Sequence, residues 1–277
     1  MKKTKTFLYT LLMIIALCSI FLILSPTKKE NKESSGSNLV TTEPKKSISA
    51  TPTLVPTTSA PSSNSLSVEE KDIYSFSQGP KALKQFRPWA GTWANLVLDG
   101  NAFGNFGCGF CCMANIYSTL SSKKCSPVDI YQYAKEASSY APSPGIGAIG
   151  WSAINETLKQ CGFTSQLHMK PSDYATFQEH VGNAYATIVL VSSRNCDEYW
   201  EDTPGHYVVI WRYNEQDDTV FLTESGDPNK NRTTIPLKTV YNALKTESLS
   251  QYLSVNDYDN SMNNWNWNQI SEAWITP

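Results

Sequence analysis

The sequence predicts an α+β fold for the chain after residue 67, because helix signals and strand signals occupy separate parts of it. Residues 108–120 place apolar side chains at spacings of three and four, and cap signals mark further helices up to residue 181. Residues 184–223 instead contain apolar runs rich in β-branched and aromatic residues, which favour strands. Residues 68–277 are numerous enough for one domain.

The helical part is predicted to contain a short opening segment and four main helices. Residues 68–83 form a short helix and a connector, and the aromatic-rich residues 85–93 follow. The four main helices are expected near residues 109–120, 126–138, 151–160 and 171–181. Ser126 and Pro127 supply an N-cap and a proline at the first helical position of the second of these helices. Gly162 is the stop signal after the third.

The second part is predicted to contain three strands, at residues 184–192, 205–213 and 219–223. Residues 214–218 form a turn, so the last two strands are expected to pair as a hairpin. A late helix is expected at residues 239–245. We expect the three strands to form the centre of an antiparallel sheet.

The first 67 residues divide into three parts by composition. Residues 1–6 carry three lysines, and residues 7–24 carry no charge. A helix of that length is just able to cross a bilayer core of about 30 Å. Residues 25–67 are rich in Ser, Thr, Pro, Lys and Asn and contain too few apolar residues to fold. We therefore predict a cytoplasmic N-terminus (1–6), a transmembrane signal anchor (7–24) and a disordered linker (25–67).

The alternative for the apolar segment is a cleaved signal peptide, which would release the domain as a secreted protein. The apolar run ends in Ile-Leu-Ser-Pro without an A-x-A-like site, and Leu17 stands where a lipoprotein signal needs a small residue before Cys18. Lysines flank the run on both sides, so the positive-inside rule gives almost no preference, and the short N-terminal arm favours a cytoplasmic N-terminus. We expect a single-pass protein of the cell membrane with its folded domain on the extracellular face.

Charge and cysteine content argue against several classes of protein. The formal net charge is -2, and a nucleic-acid-binding protein would need a basic surface for the phosphates. Seven cysteines in 277 residues do not make the framework of a small disulfide-rich domain. At least one free thiol is expected. The sequence leaves open which of the cysteines in the folded part pair, the ones in question being Cys111, Cys112, Cys125, Cys161 and Cys196.

The stretch GNFGCGFCCMANIYSTL, residues 104–120, predicts a nucleophilic cysteine. Cys108 lies where a glycine-rich turn leads into a helix, and the N–H groups and dipole of a helix N-terminus favour a thiolate. Gly107 and Gly109 leave room for a substrate backbone next to the sulfur. The alternatives are a disulfide, or a zinc site in which Cys108, Cys111 and Cys112 join a histidine.

A thiol nucleophile needs a general base, and the chain has three histidines. His206 is favoured because it follows a glycine at the start of a predicted strand, where it is rigidly held and yet accessible. The alternatives are His168, at the edge of a strand-like segment, and His180, late in a polar helix.

The base needs an orienting residue, and the predicted hairpin returns the chain toward His206. Asp227 in the turn Gly-Asp-Pro is the favoured orienting residue, against the alternative that its carboxylate only stabilises the turn. Glu224 and Ser225 are further candidates.

These motifs resemble the papain-like, C-39-like cysteine peptidases, which are stand-alone relatives of the bacteriocin-processing double-glycine peptidases. The resemblance rests on GNFGCGFCCMANIYSTL, PGHYVVIWRY and TESGDP, and the segments QFRPW and GWSAI are also similar. It covers most of the chain after about residue 70. Phe110 stands where the family usually has proline, and Cys111 and Cys112 stand where it has small residues.

The resemblance implies a papain-like fold in which the nucleophile helix packs on the antiparallel sheet that carries the histidine and the aspartate. It also implies roles for four residues. Cys108 would be the nucleophile, His206 the base and Asp227 its orienting partner. Gln85 would be the side-chain donor of the oxyanion hole.

The expected function is therefore that of a membrane-tethered peptidase or amide hydrolase that acts on a peptide or cell-wall peptide through an acyl-enzyme. We expect no cofactor and no metal, and a monomer. The main alternative is an inactive peptidase-like module that binds cell-wall peptide or glycan. Its groove would be lined by tryptophans, namely Trp89, Trp93, Trp265, Trp267 and Trp274.

Overall fold

The computed structural model describes residues 68–195 and 199–277, which form seven α-helices and two antiparallel sheets. The helices are α1 (Pro80–Lys84), α2 (Phe103–Phe106), α3 (Cys108–Leu120), α4 (Pro127–Ala137), α5 (Trp151–Gln160), α6 (Tyr174–Gly182) and α7 (Leu237–Ala243). Short 3-10 helices lie at Glu70–Asp72, Thr92–Asn95 and Ser193–Asn195. The strands are β1 (Val97–Leu98), β2 (Asn101–Ala102), β3 (Cys161–His168), β4 (Ala186–Val191), β5 (His206–Asn214), β6 (Thr219–Thr223), β7 (Thr233–Pro236) and β8 (Tyr252–Asn263). This mixture of helices with antiparallel sheets is compatible with the α+β class that the sequence predicts.

The predicted N-terminus (1–6), anchor (7–24) and linker (25–67) lie outside the described residues. Within the described part of the chain, no helix has both the length and the apolar character needed to cross a bilayer.

Helix α3 is buried on all sides over most of its length. Every residue from Gly109 to Ser118 is buried, because this segment contains no charged side chain and packs between other elements. Its one amide, Asn115, accepts a hydrogen bond from the backbone N–H of Phe76 at 2.8 Å. A Cβ at Gly109 would lie 2.6 Å from Cγ2 of Ile149, so only glycine allows this close approach. The helix predicted at residues 109–120 is confirmed.

The other predicted helices are confirmed with small shifts at their ends. Helix α4 begins after a capping box in which Ser126 and Asp129 bond each other's backbone N–H groups. Helix α6 begins three residues later than predicted, because the carboxylate of Asp173 caps it by accepting from the backbone N–H of Thr176 at 2.8 Å.

The main sheet has six strands in the order β3-β8-β4-β5-β6-β7, and all its pairs are antiparallel. The three predicted strands are β4, β5 and β6, and they are neighbours as expected. The long strand β8 was not predicted. Only its first part is buried, and its second half is polar and exposed, so no apolar run marks it in the sequence.

Helices cover both faces of the main sheet. On β5, Tyr207 and Val209 belong to the core that α3 fills. Val208 and Ile210 point to the other face, where they share a second core with Phe177 of α6. The N-terminal end of α3 and the first residue of β5 meet at the margin of the first core.

The tryptophans that would line the groove of the alternative binding module are buried in the domain or packed against it. Trp93 is fully buried and Trp89 is 4% exposed, so neither is accessible to a glycan. The ring of Trp274 contacts that of Trp89 with a centroid distance of 5.6 Å. Trp265 stacks on Tyr133 at 4.6 Å.

Candidate active site

Cys108 is the first residue of α3, and the residue is partly exposed. The short helix α2 and Gly107 lead into this position. A Cβ at Gly107 would overlap the ring of Phe103, so the tight connection between the two helices requires glycine. The Cys108 Sγ lies 3.9 Å from the carbonyl oxygen of Phe106, and backbone groups of Gly109 and Tyr207 contribute to lowering the pKa of the thiol.

His206 is the first residue of β5, and its ring lies between Cys108 and Glu224. Its Nε2 contacts Oε1 of Glu224, and the ring lies close enough to the Cys108 thiol for each group to shift the pKa of the other. Because Nε2 is engaged by the carboxylate, Nδ1 is the ring nitrogen available to the sulfur. The imidazole side chain is only 12% exposed.

Glu224 follows the last residue of β6, and its side chain is 2% exposed. Oε1 accepts a second hydrogen bond from the backbone N–H of Gly226 at 2.7 Å. Oε2 accepts from Nε1 of Trp200, in the segment between β4 and β5, at 2.8 Å. Both carboxylate oxygens are therefore hydrogen-bonded, as a buried charge requires.

The electrostatics of the three side chains favour a thiolate beside an imidazolium. Burial raises the pKa of the Cys108 thiol, but the hydrogen bond and charge of His206, with the backbone hydrogen bonds, outweigh burial and hold this pKa below its ordinary value. Burial likewise opposes the charged form of His206, but the Glu224 carboxylate and the Cys108 sulfur raise the His206 pKa to about 10. Burial would raise the Glu224 pKa, but the charge of His206 and the hydrogen bonds to the carboxylate keep it below its ordinary value.

The structure does not bring Asp227 to the imidazole, so the orienting residue predicted from the sequence is wrong. The Asp227 carboxylate is 35% exposed and accepts from the backbone N–H of Asn229 at 3.0 Å, with Nζ of Lys230 at 3.9 Å. This is the turn-stabilising role that the sequence left as the alternative. Strand β6 ends at Thr223, which lies opposite Val209, and the side chain of the next residue, Glu224, reaches the His206 ring, whereas the Asp227 carboxylate bonds its own turn.

Gln85 also lies apart from these side chains. It is exposed at the end of α1, where Oε1 is 3.5 Å from Nε of Arg87.

Gln78 is a buried glutamine that sequence reasoning missed. Its Nε2 donates to the carbonyl of Gly104 at 2.9 Å, and its Oε1 accepts from Oγ of Ser225 at 2.9 Å. Its backbone N–H donates to the carbonyl of Ser225 at 2.8 Å. Gln78 thus ties the segment before Cys108 to the residue after Glu224. The sequence signal was its place directly before Gly-Pro at the start of a helix, which by itself does not reveal a tertiary contact.

The other two histidines form a separate pair. Their ring centroids are 4.6 Å apart, and Nδ1 of His180 is 2.8 Å from the hydroxyl of Tyr252. Burial and the neighbouring His180 lower the pKa of His168 to about 4, which keeps it neutral. Neither ring is among the contacts of Cys108.

The remaining described cysteines are free thiols inside the core. They are Cys111, Cys112, Cys125 and Cys161. Burial raises the pKa of each of them, which is the reverse of the shift at Cys108. Cys18 and Cys196 lie outside the described residues. In the part of the chain that the structure describes, no group of three or more His, Cys, Asp or Glu side chains converges on a metal position.

Comparison with known proteins adds no family to these observations: the chain matches no model of a known protein family, and a search of curated proteins finds no match.

Proposed function

We propose that this chain is a papain-like cysteine peptidase or amide hydrolase of the C-39-like type, with Cys108, His206 and Glu224 as its catalytic residues. The observation that carries the proposal is the position of the His206 ring, which contacts the Cys108 thiol on one side and the Glu224 carboxylate on the other. A nucleophile at a helix N-terminus, a base at a strand start and a carboxylate directly after the neighbouring strand supply the parts that acyl transfer requires.

The reaction begins with the Cys108 thiolate, which the neighbouring imidazolium of His206 stabilises. Cys108 Sγ attacks the carbonyl carbon of the scissile amide, and backbone N–H groups at the start of α3 stabilise the negative charge on the carbonyl oxygen. The imidazolium of His206 gives its proton to the leaving amine as the C–N bond breaks. This leaves a thioester between Cys108 and the acyl part of the substrate.

Water completes the cycle. His206, now neutral, removes a proton from a water molecule as its oxygen attacks the thioester carbon, and the C–S bond breaks. The products are a carboxylic acid and the regenerated pair of Cys108 thiolate and His206 imidazolium. Glu224 takes no proton; it holds the ring orientation and stabilises the imidazolium. Transfer of the acyl group to an amine instead of water uses the same three residues.

The proposed setting follows from the first 67 residues, whose sequence predicts a membrane anchor and a linker. The enzyme would act as a single-pass protein on the outer side of the cell membrane, on a peptide or a cell-wall peptide. It would act as a monomer. It would need no cofactor, because the three side chains supply the nucleophile, the base and the negative charge that orients the base.

The test is selective modification of the thiols in the full chain. Iodoacetamide at neutral pH, followed by peptide mapping, should label Cys108 about ten times faster or more than Cys111 or Cys112, because of these three residues Cys108 alone has a lowered pKa and is partly exposed. Cys108→Ala should abolish amide hydrolysis, and Cys111→Ala should retain it. Hydrolysis that survives in Cys108→Ala would refute the proposal.

A further inference from the structure

A polar cavity of about 210 Å³ lies between the end of α6 and the strands β3 and β8. Strand register places Gln166 opposite Ser254 and His168 opposite Tyr252, so alternate residues of the two strands present polar groups on one face of the sheet. The described lining consists of two imidazoles, three amides and one hydroxyl, which belong to Gln166, His168, His180, Asn183, Ser254 and Asn256. No residue of the candidate active site is among them.

Two buried polar atoms of this lining have no hydrogen-bond partner among the described residues. They are Nε2 of His168 and Oγ of Ser254, and Ser254 as a whole is only 2% exposed. Burial of a polar atom without a partner is unfavourable, and most such atoms in folded proteins bind protein groups, water or a ligand. Two of them beside one cavity therefore point to a ligand that supplies the missing contacts.

The two imidazoles approach each other from different elements. His168 is the last residue of β3, and His180 lies in the last turn of α6. Their ring centroids are 4.6 Å apart, and the ring planes are inclined by 38°. Two imidazoles on one metal ion, with bonds of about 2.0–2.1 Å and an angle of about 90–110° between them, have centroids about 4.5–5.2 Å apart. The spacing of the two rings therefore suits a shared metal ion.

Each ring can offer a nitrogen lone pair. Nδ1 of His180 lies 2.8 Å from the Tyr252 hydroxyl, whose pKa is raised by burial to about 12, so this hydroxyl stays neutral and can accept. With the proton on Nδ1, Nε2 of His180 keeps its lone pair, and the hydrogen bond fixes the orientation of the ring, as is usual for metal-binding histidines. His168 is neutral at pH 7, because burial and His180 lower its pKa to about 4.

The size and chemistry of the cavity favour a transition-metal ion over other ligands. Its volume of about 210 Å³ is below the range of about 300–1,000 Å³ for organic ligands, but it can hold an ion with a few water molecules, each of about 30 Å³. The described lining contains no lysine or arginine, so an anion would find no permanent positive charge. Imidazole nitrogens suit Zn²⁺, Ni²⁺ and Cu²⁺, whereas Ca²⁺ and Mg²⁺ prefer oxygen ligands.

We infer that this cavity binds one divalent transition-metal ion of the Zn²⁺ class, with His168 and His180 as its nitrogen ligands. The described residues bring together no group of three or more His, Cys, Asp or Glu side chains, so the remaining coordination positions belong to oxygens, namely that of Ser254 and those of water. The ion joins α6 to the β3–β8 edge of the sheet and stabilises the fold. This differs from the expectation of no metal, because the sequence does not show that β3 and α6 bring the two histidines together. The inference is independent of the proposed function.

Zinc binding to the full chain tests the inference. All proteins carry Cys108→Ala, which removes the thiol that could bind zinc together with His206. They are freed of metal with a chelator and titrated with ZnCl₂ by isothermal calorimetry. His168→Gln and His180→Gln should each weaken binding by about 10-fold or more, since the loss of even an outer hydrogen-bond partner costs about 10–100-fold. His206→Gln is the matched control, because it removes the one histidine outside the cavity, and it should leave binding unchanged.

Tyr252→Phe tests the orientation of His180. It keeps the aromatic ring but removes the hydroxyl that contacts Nδ1, so zinc binding should weaken by about 10-fold.

Thermal unfolding keeps the test decisive if a substitution disturbs the fold. With zinc at about 100 times its Kd, the Cys108→Ala protein should gain about 5 °C or more in Tm. The His168→Gln and His180→Gln proteins should gain much less at the same zinc concentration, whatever their Tm without metal. The inference is wrong if zinc neither binds nor raises the Tm of the Cys108→Ala protein, if both cavity variants respond as that protein does, or if His206→Gln abolishes binding.

Discussion

The Glu224 carboxylate contacts Nε2 of His206 across the β5–β6 pair, at a sequence separation of 18 residues. The other carboxylate oxygen accepts a hydrogen bond from Nε1 of Trp200, so both oxygens of the charged group are held in place. In a site this deeply buried, a full negative charge acts strongly on the imidazole, and it favours the imidazolium that the proposed mechanism uses.

The first prediction concerns the charge of this carboxylate. Glu224→Gln keeps the size of the side chain but removes the charge, so we expect kcat/KM for amide hydrolysis to fall by about 100-fold or more. The His206 pKa should fall as well, because its main raising influence is the Glu224 charge. Kinetics over a range of pH measure both effects.

Asp227→Asn is the control for that substitution. The Asp227 carboxylate is partly exposed and bonds its own turn, so this variant should keep kcat/KM within about twofold of the unmodified chain. An equal loss of activity in both variants would mean that the orienting carboxylate has been misassigned.

The second prediction concerns pH. The Cys108 pKa is lowered and the His206 pKa is raised to about 10, so the thiolate–imidazolium pair exists between the two. Activity should therefore appear as pH rises through a value below the usual thiol pKa of about 8.5, and it should be lost as pH rises through about 10, where His206 gives up its proton. The rate of Cys108 alkylation should follow the lower transition and should not fall at the upper one.

His206→Ala provides the comparison for the lower transition. Without the imidazolium, burial is left to raise the Cys108 pKa, so alkylation of Cys108 should need a higher pH. Identical alkylation profiles with and without His206 would contradict the ion pair.

Cys108 and His206 were predictable because their signals are local. A glycine-bracketed cysteine before an apolar helix and a histidine at the start of an apolar strand both indicate where an element begins, and element starts are readable from sequence. The two side chains lie close together in the structure, and their catalytic roles are part of the proposed function.

The orienting residue was not predictable in the same way, because it depends on strand register. The β5–β6 pairing shifts between Trp211 and Asn214, where Arg212 has a φ of 51°. Such a bulge changes which residue of the returning strand lies level with His206, and the sequence does not show it. Gln78 and Trp200 escaped prediction for a related reason, since their partners lie far away in the chain.

The third prediction concerns Trp200. Trp200→Phe keeps an aromatic ring but removes the N–H that donates to Oε2 of Glu224, leaving a buried carboxylate oxygen without that partner. We expect a loss of about 1–3 kcal/mol in the free energy of unfolding and a fall in kcat with little change in KM. Denaturant unfolding and steady-state kinetics measure the two effects.

Trp267→Phe is the matched control, since its indole N–H donates to the backbone carbonyl of Gln269 in the C-terminal segment. This variant should keep the kcat of the unmodified chain. A Trp200→Phe protein with unchanged kcat and unchanged stability would show that Glu224 does not depend on the indole for its position.

The last prediction tests the hydrogen bonds by which Gln78 connects the segment before Cys108 to the residue after Glu224. Gln78→Ala removes the donor to the Gly104 carbonyl and the acceptor for the Ser225 hydroxyl, and the Gln78 residue is itself buried. We expect the free energy of unfolding to fall by about 1–3 kcal/mol. Because Gly104 precedes Cys108 and Ser225 follows Glu224, kcat should fall too, while the pH at which activity is lost stays near that of the unmodified chain. Gln85→Ala, at an exposed position, should change neither quantity; if it lowers kcat and Gln78→Ala does not, then Gln85 is the functional glutamine after all.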